Sequence, residues 1–206
     1  MKPSQFFTDT SSLQQIESDC WALLTTAAND PKSDFRLPVL GTQSPTGVAQ
    51  RIVVLRAADA NAGWLLIHTD ARSAKVRQLK GTSVATLLFY DKAKKIQLRV
   101  TANASIHTDD SIADQLWQSE SATSLKGYLG PLAPGAVCTE AEHNLASEFI
   151  ESIPDRSQLE AAREHFAAVR FSVTQLDWLQ LNRTGHLQAQ FHYDAHRIVS
   201  RTWTAP

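Results

Sequence analysis

The chain has 206 residues, of which 43% are hydrophobic, and its 20 Lys and Arg residues nearly balance 21 Asp and Glu residues. This length suffices for one domain with a substantial core, and the balanced charge excludes a strongly basic nucleic-acid-binding chain or an acidic disordered one. No apolar run approaches the roughly 18 residues that span a membrane, and residues 1–10 lack the apolar stretch of a secretory signal. We therefore expect a cytoplasmic protein with no nucleic-acid or membrane partner.

Cysteine and glycine spacing excludes several kinds of site. Cys20 and Cys138 stand far apart without a CxxC pair, so a disulfide framework or a zinc ribbon is not expected. The 8 glycines form no GxGxxG pattern, and no Gly-Lys pair of a P-loop occurs. Any nucleotide site in this chain must therefore work without the common glycine cradles.

The first half of the chain predicts one helix and then a series of strands. Ser12 precedes apolar residues at helical spacing, which predicts a helix over about 12–28. Apolar and β-branched runs between turn signals predict strands over 35–43, 48–57, 64–69, 84–90 and 95–107. A short helix is expected over about 73–80, with Gly81 as its C-terminal cap.

The second half predicts helices and then a return to strands. A helix is expected to start near Thr108, segments 139–153 and 157–166 are typical of helix or partly flexible chain, and strands are predicted over 168–181, 187–193 and 197–204. His192 and His196 have metal-binding chemistry, but the intervening residues predict a hairpin turn, so we expect no metal. The pattern favours one mainly β (α+β) domain over 1–206, an antiparallel barrel or sandwich with flanking helices.

Positive charge is concentrated in one part of the chain. Residues 51–101 contain ten Lys and Arg against three acids, a net charge of +7, while the remainder carries −8. Within this segment Thr69, Ser73 and Lys75 lie between a strand end and a helix start, where backbone N–H groups and hydroxyls suit a phosphate. Arg72, and Arg51 on the preceding strand, could add charge. The alternative is an ordinary Ser-capped helix with solvated cations.

An ordered set of motifs carries a family resemblance. The segments are Arg51-Ile52-Val53-Val54-Leu55-Arg56, His68-Thr69, Ser73-Ala74-Lys75, Leu87-Leu88-Phe89-Tyr90, Gln97-Leu98-Arg99-Val100 and the closing Trp203-Thr204-Ala205-Pro206. Taken in this order they resemble the pyridoxamine 5′-phosphate oxidase family and its FMN-binding split-barrel relatives. The similarity covers residues 35–118 well and 168–206 loosely.

The resemblance implies a six-stranded antiparallel split β-barrel and a homodimer with FMN at the subunit interface. It assigns the FMN phosphate to Arg51, Thr69, Ser73 and Lys75, with Arg72 as a substitute cation because Ala74 stands where the family has Arg. The isoalloxazine ring is assigned to Ile52, Val53 and Val54, and its polar edge to Gln97. Arg56 and His68 complete the expected cofactor-binding set, in places where the family has Lys and Tyr.

Departures from the family pattern indicate a changed substrate pocket. Glu120 stands where relatives have an Arg that clamps the substrate phosphate, and His186–Gln190 lacks their pyridoxal-contacting Arg and His. The sequence therefore favours an FMN-dependent oxidoreductase of a divergent branch acting on another small molecule, with no catalytic residue assigned. The alternatives are a genuine pyridoxamine or pyridoxine 5′-phosphate oxidase, a non-catalytic flavin-binding or sensor protein, and a barrel that has lost FMN. Trp117 is either a core residue or a ligand contact.

Overall fold

The computed structural model describes residues 12–206. Residues 1–10, where the sequence predicts no secretory signal, lie outside the described residues. Two compact units divide the chain. Among the described residues, the first contains 12–67 together with Val84–Ala104 and Arg170–Pro206, and the second contains His68–Ser83 and Ser105–Val169. The expectation of one domain over 1–206 stays a prediction.

The secondary structure is as follows. The α-helices are α1 (Leu13–Ala27), α2 (Ala74–Gly81), α3 (Ser111–Ser119), α4 (Ala122–Leu125) and α5 (Arg156–Leu159), and 3₁₀ turns occupy Asp34–Arg36, Lys126–Leu129, Ser147–Phe149 and Glu160–His165. The strands are β1 (Val39–Ser44), β2 (Gly47–Ile52), β3 (Leu55–Asp59), β4 (Trp64–Asp70), β5 (Val84–Asp91), β6 (Ile96–His107), β7 (Phe166–Gln180), β8 (Leu187–Asp194) and β9 (Arg197–Thr204). Across residues 12–206, no helix is both long and apolar enough to cross a membrane.

The first unit is built on an antiparallel sheet with strand order β2-β1-β5-β6-β7-β4-β3, to which β8 adds through β7 and β9 through β8. The antiparallel, mainly β class is confirmed. The described sheet has nine strands rather than the six implied by the resemblance. One reason is that the run predicted as a single strand over 48–57 is two strands. The N–H of Val53 donates to the carbonyl of Pro38 at 3.0 Å, which extends the pairing of β2 with β1 by one residue, and from Leu55 onward the chain pairs with β4 instead.

Strand β5 shows why this sheet has two different faces. Its residues alternate strictly between exposed and buried, so Leu87 and Phe89 enter the core while Leu88 and Tyr90 face outward. Such alternation is the signature of a strand with one face on the core. The core face is completed by apolar residues of the neighbouring strands, among them Leu40 and Leu98.

Helix α1 forms where its sequence pattern predicts. The hydroxyl of Ser12 accepts a hydrogen bond from the N–H of Gln15 at 3.1 Å and so caps the helix. Its apolar stripe buries Cys20, whose thiol pKa is raised by burial, and Trp21, whose indole N–H donates to the Tyr193 hydroxyl at 3.0 Å. The stripe therefore fastens α1 to the C-terminal part of the sheet within the first unit.

The predicted hairpin at 193–196 is also present. Strand β8 ends at Asp194 and β9 begins at Arg197, with Ala195 and His196 at φ values of 43° and 71°. Two residues with positive φ form the tight turn that suits the twist of antiparallel strands. His192 and His196 therefore belong to this hairpin.

The second unit contains α2 to α5. Asp110 caps α3 by accepting from the N–H of Ala113 at 2.9 Å, so the predicted helix begins slightly later than Thr108. Gly81 is the last residue of α2 rather than its cap, which is Thr82 in extended conformation. Segment 139–153, for which helix or flexible chain was expected, is irregular except for the 3₁₀ turn at Ser147–Phe149.

Candidate functional site

The turn between β4 and α2 brings hydroxyl and ammonium groups together in the second unit. Lys75 Nζ donates to Thr69 Oγ1 at 2.9 Å. Thr69 is 8% exposed and Ser73 is 2% exposed, whereas Lys75 is half-buried on the first turn of α2. Three of the residues predicted to hold a phosphate therefore lie in one short turn at a helix N-terminus.

The Ser73 hydroxyl is the most informative group in this turn. Ser73 occupies the N-cap position of α2, yet its side chain makes no capping hydrogen bond. Its Oγ atom is buried and has no hydrogen-bond partner among residues 12–206. A buried hydroxyl without a partner costs about 1–3 kcal/mol, so its presence needs an explanation. A phosphate oxygen at the start of α2 would accept a hydrogen bond from the Ser73 hydroxyl. It would also lie at the positive end of the helix dipole.

Arg72 has a different set of contacts. Its guanidinium makes a two-point ion pair with Asp70, at 3.1 and 2.7 Å, which raises the pKa of Arg72. It also donates to the carbonyls of Gly130 at 2.9 Å and Pro131 at 3.2 Å. Arg72 therefore holds the 130–131 loop against the turn that precedes α2.

A carboxylate and an imidazole form a largely buried pair in the same unit. His68 Nδ1 lies 3.0 Å from Glu120 Oε1, and the two side chains are 5% and 17% exposed. The His68 ring also packs edge-on against Phe166, with ring centroids 4.9 Å apart. His68 is fixed at the end of β4, and Glu120 follows the last residue of α3. Two of the residues at which the sequence departs from the family pattern are thus in contact.

An aromatic cluster surrounds this pair. Phe166 packs against Trp117 and Tyr128, with centroid separations of 5.5 and 5.4 Å. Trp117 is 3% exposed, as expected for a core residue. Its indole N–H is nevertheless buried with no acceptor in the part of the chain that the structure describes, so the expectation of a ligand contact also stays open.

The remaining predicted residues belong to the first unit. Arg51 Nη1, on β2, donates to Thr42 Oγ1 at 2.5 Å and to the Leu40 carbonyl at 3.4 Å, and burial lowers the pKa of Arg51. Val53 and Val54 form the link between β2 and β3, and Arg56 lies on β3. These residues and the β4–α2 turn lie in separate units. That they bind one cofactor together therefore stays a prediction.

Ile52 and Gln97 share the outward face of the strands β2, β1, β5 and β6. Cross-strand registers place Ile52 opposite Val39, Val39 opposite Leu88, and Leu88 opposite Arg99. This row and its neighbours form an outer sheet face that is rich in exposed apolar side chains. Its large apolar members are Val48, Ile52, Val84, Leu88 and Tyr90, which are 71%, 66%, 49%, 39% and 45% exposed.

Sequence reasoning singled out His68 and Glu120 separately but did not pair them. No spacing rule connects two residues that come from different elements and are far apart in the chain. The only usable signal was that both positions depart from the family pattern, which is consistent with a paired replacement. Covariation of the two positions is the signal that could have found this contact.

Comparison with known proteins supports a flavin-binding site in this part of the chain. Residues 18–108 match the family model described as pyridoxamine 5′-phosphate oxidase, FMN-binding domain. The matched segment contains all the predicted cofactor-binding residues. No curated protein sequence matches the chain.

Solved structures show the same fold over nearly the whole chain. A pyridoxamine 5′-phosphate oxidase-related, FMN-binding protein from Nostoc punctiforme is similar with a TM-score of 0.71 and 23% identity, covering 91% of this chain and 96% of that chain. PhzG from Burkholderia lata, in complex with tetrahydrophenazine-1-carboxylic acid, has a TM-score of 0.66 and 16% identity, covering 100% and 98%. A Clostridium acetobutylicum protein of the pyridoxinephosphate oxidase family, related to general stress protein 26, has a TM-score of 0.56 and 13% identity, covering 91% and 100%.

The split-barrel fold class and the cofactor expected from the sequence are therefore confirmed. FMN is the cofactor of the matched domain, and the buried Ser73 hydroxyl at a helix start fits its phosphate. Residues 18–108 of this chain are therefore similar to the FMN-binding domain of pyridoxamine 5′-phosphate oxidase, and the chain shares the fold of proteins related to that enzyme.

Proposed function

We propose that this protein is an FMN-dependent oxidoreductase that acts on a small molecule lacking the phosphate of pyridoxamine 5′-phosphate. The proposal depends mainly on one observation, the buried Ser73 hydroxyl that has no partner within residues 12–206. It is supported by the FMN-binding family model and by the His68–Glu120 contact.

In this proposal the FMN phosphate lies at the start of α2. The Ser73 hydroxyl donates a hydrogen bond to a phosphate oxygen, and Lys75 supplies a full positive charge from the first helical turn. Thr69 holds the Lys75 ammonium at 2.9 Å, which orients the charge before the ligand arrives. A charged hydrogen bond of this kind contributes about 1.5–3 kcal/mol. Arg51, Ile52, Val53, Val54, Arg56 and Gln97 stay predictions for the remainder of the cofactor.

The bound flavin would supply the redox chemistry by accepting a hydride from the substrate. The residues of this chain bind the flavin and orient it. The Arg72 guanidinium fixes the turn before α2 by joining Asp70 to the Gly130 carbonyl, so the phosphate donors start from a rigid position. Such preorganisation reduces the entropic cost of binding.

The His68–Glu120 pair supports a substrate without a phosphate at this place. Glu120 stands where the resembled family has a cation, and a carboxylate there repels an anionic group. The carboxylate is already engaged with an imidazole at 3.0 Å, which stabilises it in a largely buried position. One solved structure of this fold, PhzG, was determined with tetrahydrophenazine-1-carboxylic acid, a ligand without a phosphate.

We also propose a homodimer that associates through the outer sheet face. Val48, Ile52, Val84, Leu88 and Tyr90 expose apolar surface on neighbouring strands of one unit. Arg99, which lies opposite Leu88 on the same face, is paired with Asp177 through contacts of 2.8 and 2.6 Å. A face that is apolar and electrically neutralised can meet its own copy without like-charge repulsion, as a two-fold interface requires.

The two free thiols, Cys20 and Cys138, are typical of a cytoplasmic protein.

The first experiment measures flavin in the native protein. We expect a yellow protein that releases FMN on denaturation, identified by chromatography against riboflavin and FAD. A colourless protein that stays colourless after incubation with FMN would refute the proposal.

Sedimentation would test the dimer separately. Leu88→Asp is expected to give a monomer, and Val199→Asp, at an exposed site on β9, serves as the control.

The second experiment tests the substrate class. Hydrogen peroxide release is measured with pyridoxamine 5′-phosphate and with its dephosphorylated form, pyridoxamine. We expect no turnover of the phosphorylated compound by the wild type, because Glu120 opposes its phosphate. Rapid oxidation of pyridoxamine 5′-phosphate would instead identify a genuine oxidase of the vitamin. A flavin-loaded protein whose bound FMN is reduced by no small-molecule donor would favour the flavin-binding sensor.

A further inference from the structure

Three polar side chains outside the proposed flavin site form a connected chain in the second unit. Ser105 Oγ lies 3.3 Å from His107 Nε2, and His107 Nδ1 lies 2.7 Å from Asp110 Oδ2. Ser105 and His107 are two residues apart near the end of β6, so they share one face of the strand. Asp110 is the N-cap of α3, and the turn between β6 and α3 brings it back to the imidazole.

Hydrogen-bonding rules fix where the proton of the neutral imidazole resides. The N–H of Ala113 and the contact with His107 lower the pKa of Asp110, so this carboxylate is ionised at neutral pH and only accepts hydrogen bonds. Nδ1 of His107 must then carry the proton, and Nε2 is left as an acceptor facing the Ser105 hydroxyl. Asp110 is held in turn by the helix, with Oδ1 on the N–H of Ala113 at 2.9 Å.

This is the arrangement that activates a serine. A base lies within reach of the hydroxyl, and a third group orients the base and stabilises the imidazolium once it forms. The Ser105 side chain is exposed, so an acyl donor can reach it, while the His107 side chain is only 14% exposed and is held in place.

We propose that Ser105 is a nucleophilic serine that is acylated by small activated esters, with His107 as its general base and Asp110 as the positioning residue. This site is independent of the flavin chemistry proposed above.

The step is balanced without a further reactant. Ser105 Oγ attacks the carbonyl carbon of an aryl ester, and the hydroxyl proton passes to His107 Nε2. The bond between the carbonyl carbon and the aryl oxygen then breaks, its electron pair leaves with the aryl oxide, and the acyl group remains as an ester on Ser105. The imidazolium returns its proton to the solvent, and no group is oxidised or reduced.

The test uses the full purified chain with its flavin and p-nitrophenyl acetate as the probe. Release of p-nitrophenolate is followed at neutral pH, and the acetylated residue is located by mass spectrometry of peptides. We expect acetyl-Ser105, no such adduct in Ser105→Ala, and a decrease of about 100-fold or more in the acylation rate of His107→Gln. Ser119→Ala, an exposed serine on α3, is the matched control and should react like the wild type.

Asp110→Asn separates positioning from folding. Asparagine is as good a helix N-cap as aspartate, so the thermal midpoint should stay close to that of the wild type. The acylation rate should still fall, because an amide no longer enforces the reactive tautomer of His107. The proposal is overturned if acetyl groups appear on lysines or other serines instead of Ser105, or if His107→Gln and Asp110→Asn react at the wild-type rate.

Discussion

His68 Nδ1 and Glu120 Oε1 are 3.0 Å apart, and both side chains are largely withdrawn from solvent. Removing the carboxylate with Glu120→Ala leaves a buried imidazole nitrogen without this partner. We expect the free energy of unfolding to fall by about 1–3 kcal/mol, measured by urea denaturation. Glu120→Gln keeps an acceptor of similar size and should cost less.

The matched control for this pair is Glu164→Ala. Glu164 lies 4.0 Å from His165, but its side chain is 81% exposed, so its removal should change the free energy of unfolding by no more than about 0.5 kcal/mol. Equal losses in Glu120→Ala and Glu164→Ala would contradict a stabilising role for the buried pair.

Two serines at helix N-caps should respond differently to substitution. Ser12 caps α1 through the N–H of Gln15, so Ser12→Ala should cost about 1 kcal/mol of stability in thermal or urea unfolding. Ser73 makes no capping hydrogen bond, so Ser73→Ala should leave the stability of the flavin-free protein unchanged or raise it. A loss in Ser73→Ala as large as in Ser12→Ala would mean that Ser73 acts as an ordinary cap.

The Arg99–Asp177 ion pair predicts an asymmetry between its two partners. Asp177 is 6% exposed at its side chain and also accepts from Gln175 at 2.8 Å, whereas the Arg99 side chain is 53% exposed. Arg99→Ala removes the guanidinium that pairs with the buried Asp177 carboxylate. Asp177→Asn instead leaves the Arg99 guanidinium, which water can solvate. Urea denaturation should therefore show the larger loss, on the order of 3 kcal/mol, for Arg99→Ala. The reverse order would contradict this assignment of burial.

Asp91 should contribute to the acid sensitivity of the protein. Burial alone raises the pKa of Asp91, but hydrogen bonds from the Lys94 ammonium at 2.5 Å and the Lys94 N–H at 2.8 Å outweigh it, so the pKa is lowered. A lowered pKa in the folded state gives stability that is present above the unfolded value, about 3.9, and is lost as pH falls through the folded value.

Asp91→Asn should therefore be less stable than the wild type at pH 7, and the difference should shrink below about pH 4. Thermal midpoints across an acid series measure this. Asp109→Asn, at an exposed position, is the control and should follow the wild type at every pH. A difference between Asp91→Asn and the wild type that stays constant with pH would exclude the proposed linkage.

Local patterns predicted most of the fold, because α1, β5 and the 193–196 hairpin are determined by periodicity and turn chemistry. The division of 48–57 into two strands depends on a change of pairing partner from β1 to β4, which no local pattern reports. In the site, the helix start at Ser73 was predictable from capping chemistry. Its unpartnered hydroxyl was not, because that depends on how the second unit packs around it.

The measurement that tests the central claim most directly compares the dissociation constants of FMN and riboflavin, which differ only by the phosphate. We predict that the wild type binds FMN more tightly than riboflavin, and that Lys75→Met and Ser73→Ala weaken FMN binding by about 10- to 100-fold while leaving riboflavin binding unchanged. Lys80→Met, at the exposed end of α2, should bind both flavins as the wild type does. Equal affinities for FMN and riboflavin, or FMN binding unaffected by the Lys75 and Ser73 variants, would contradict a phosphate site at the start of α2.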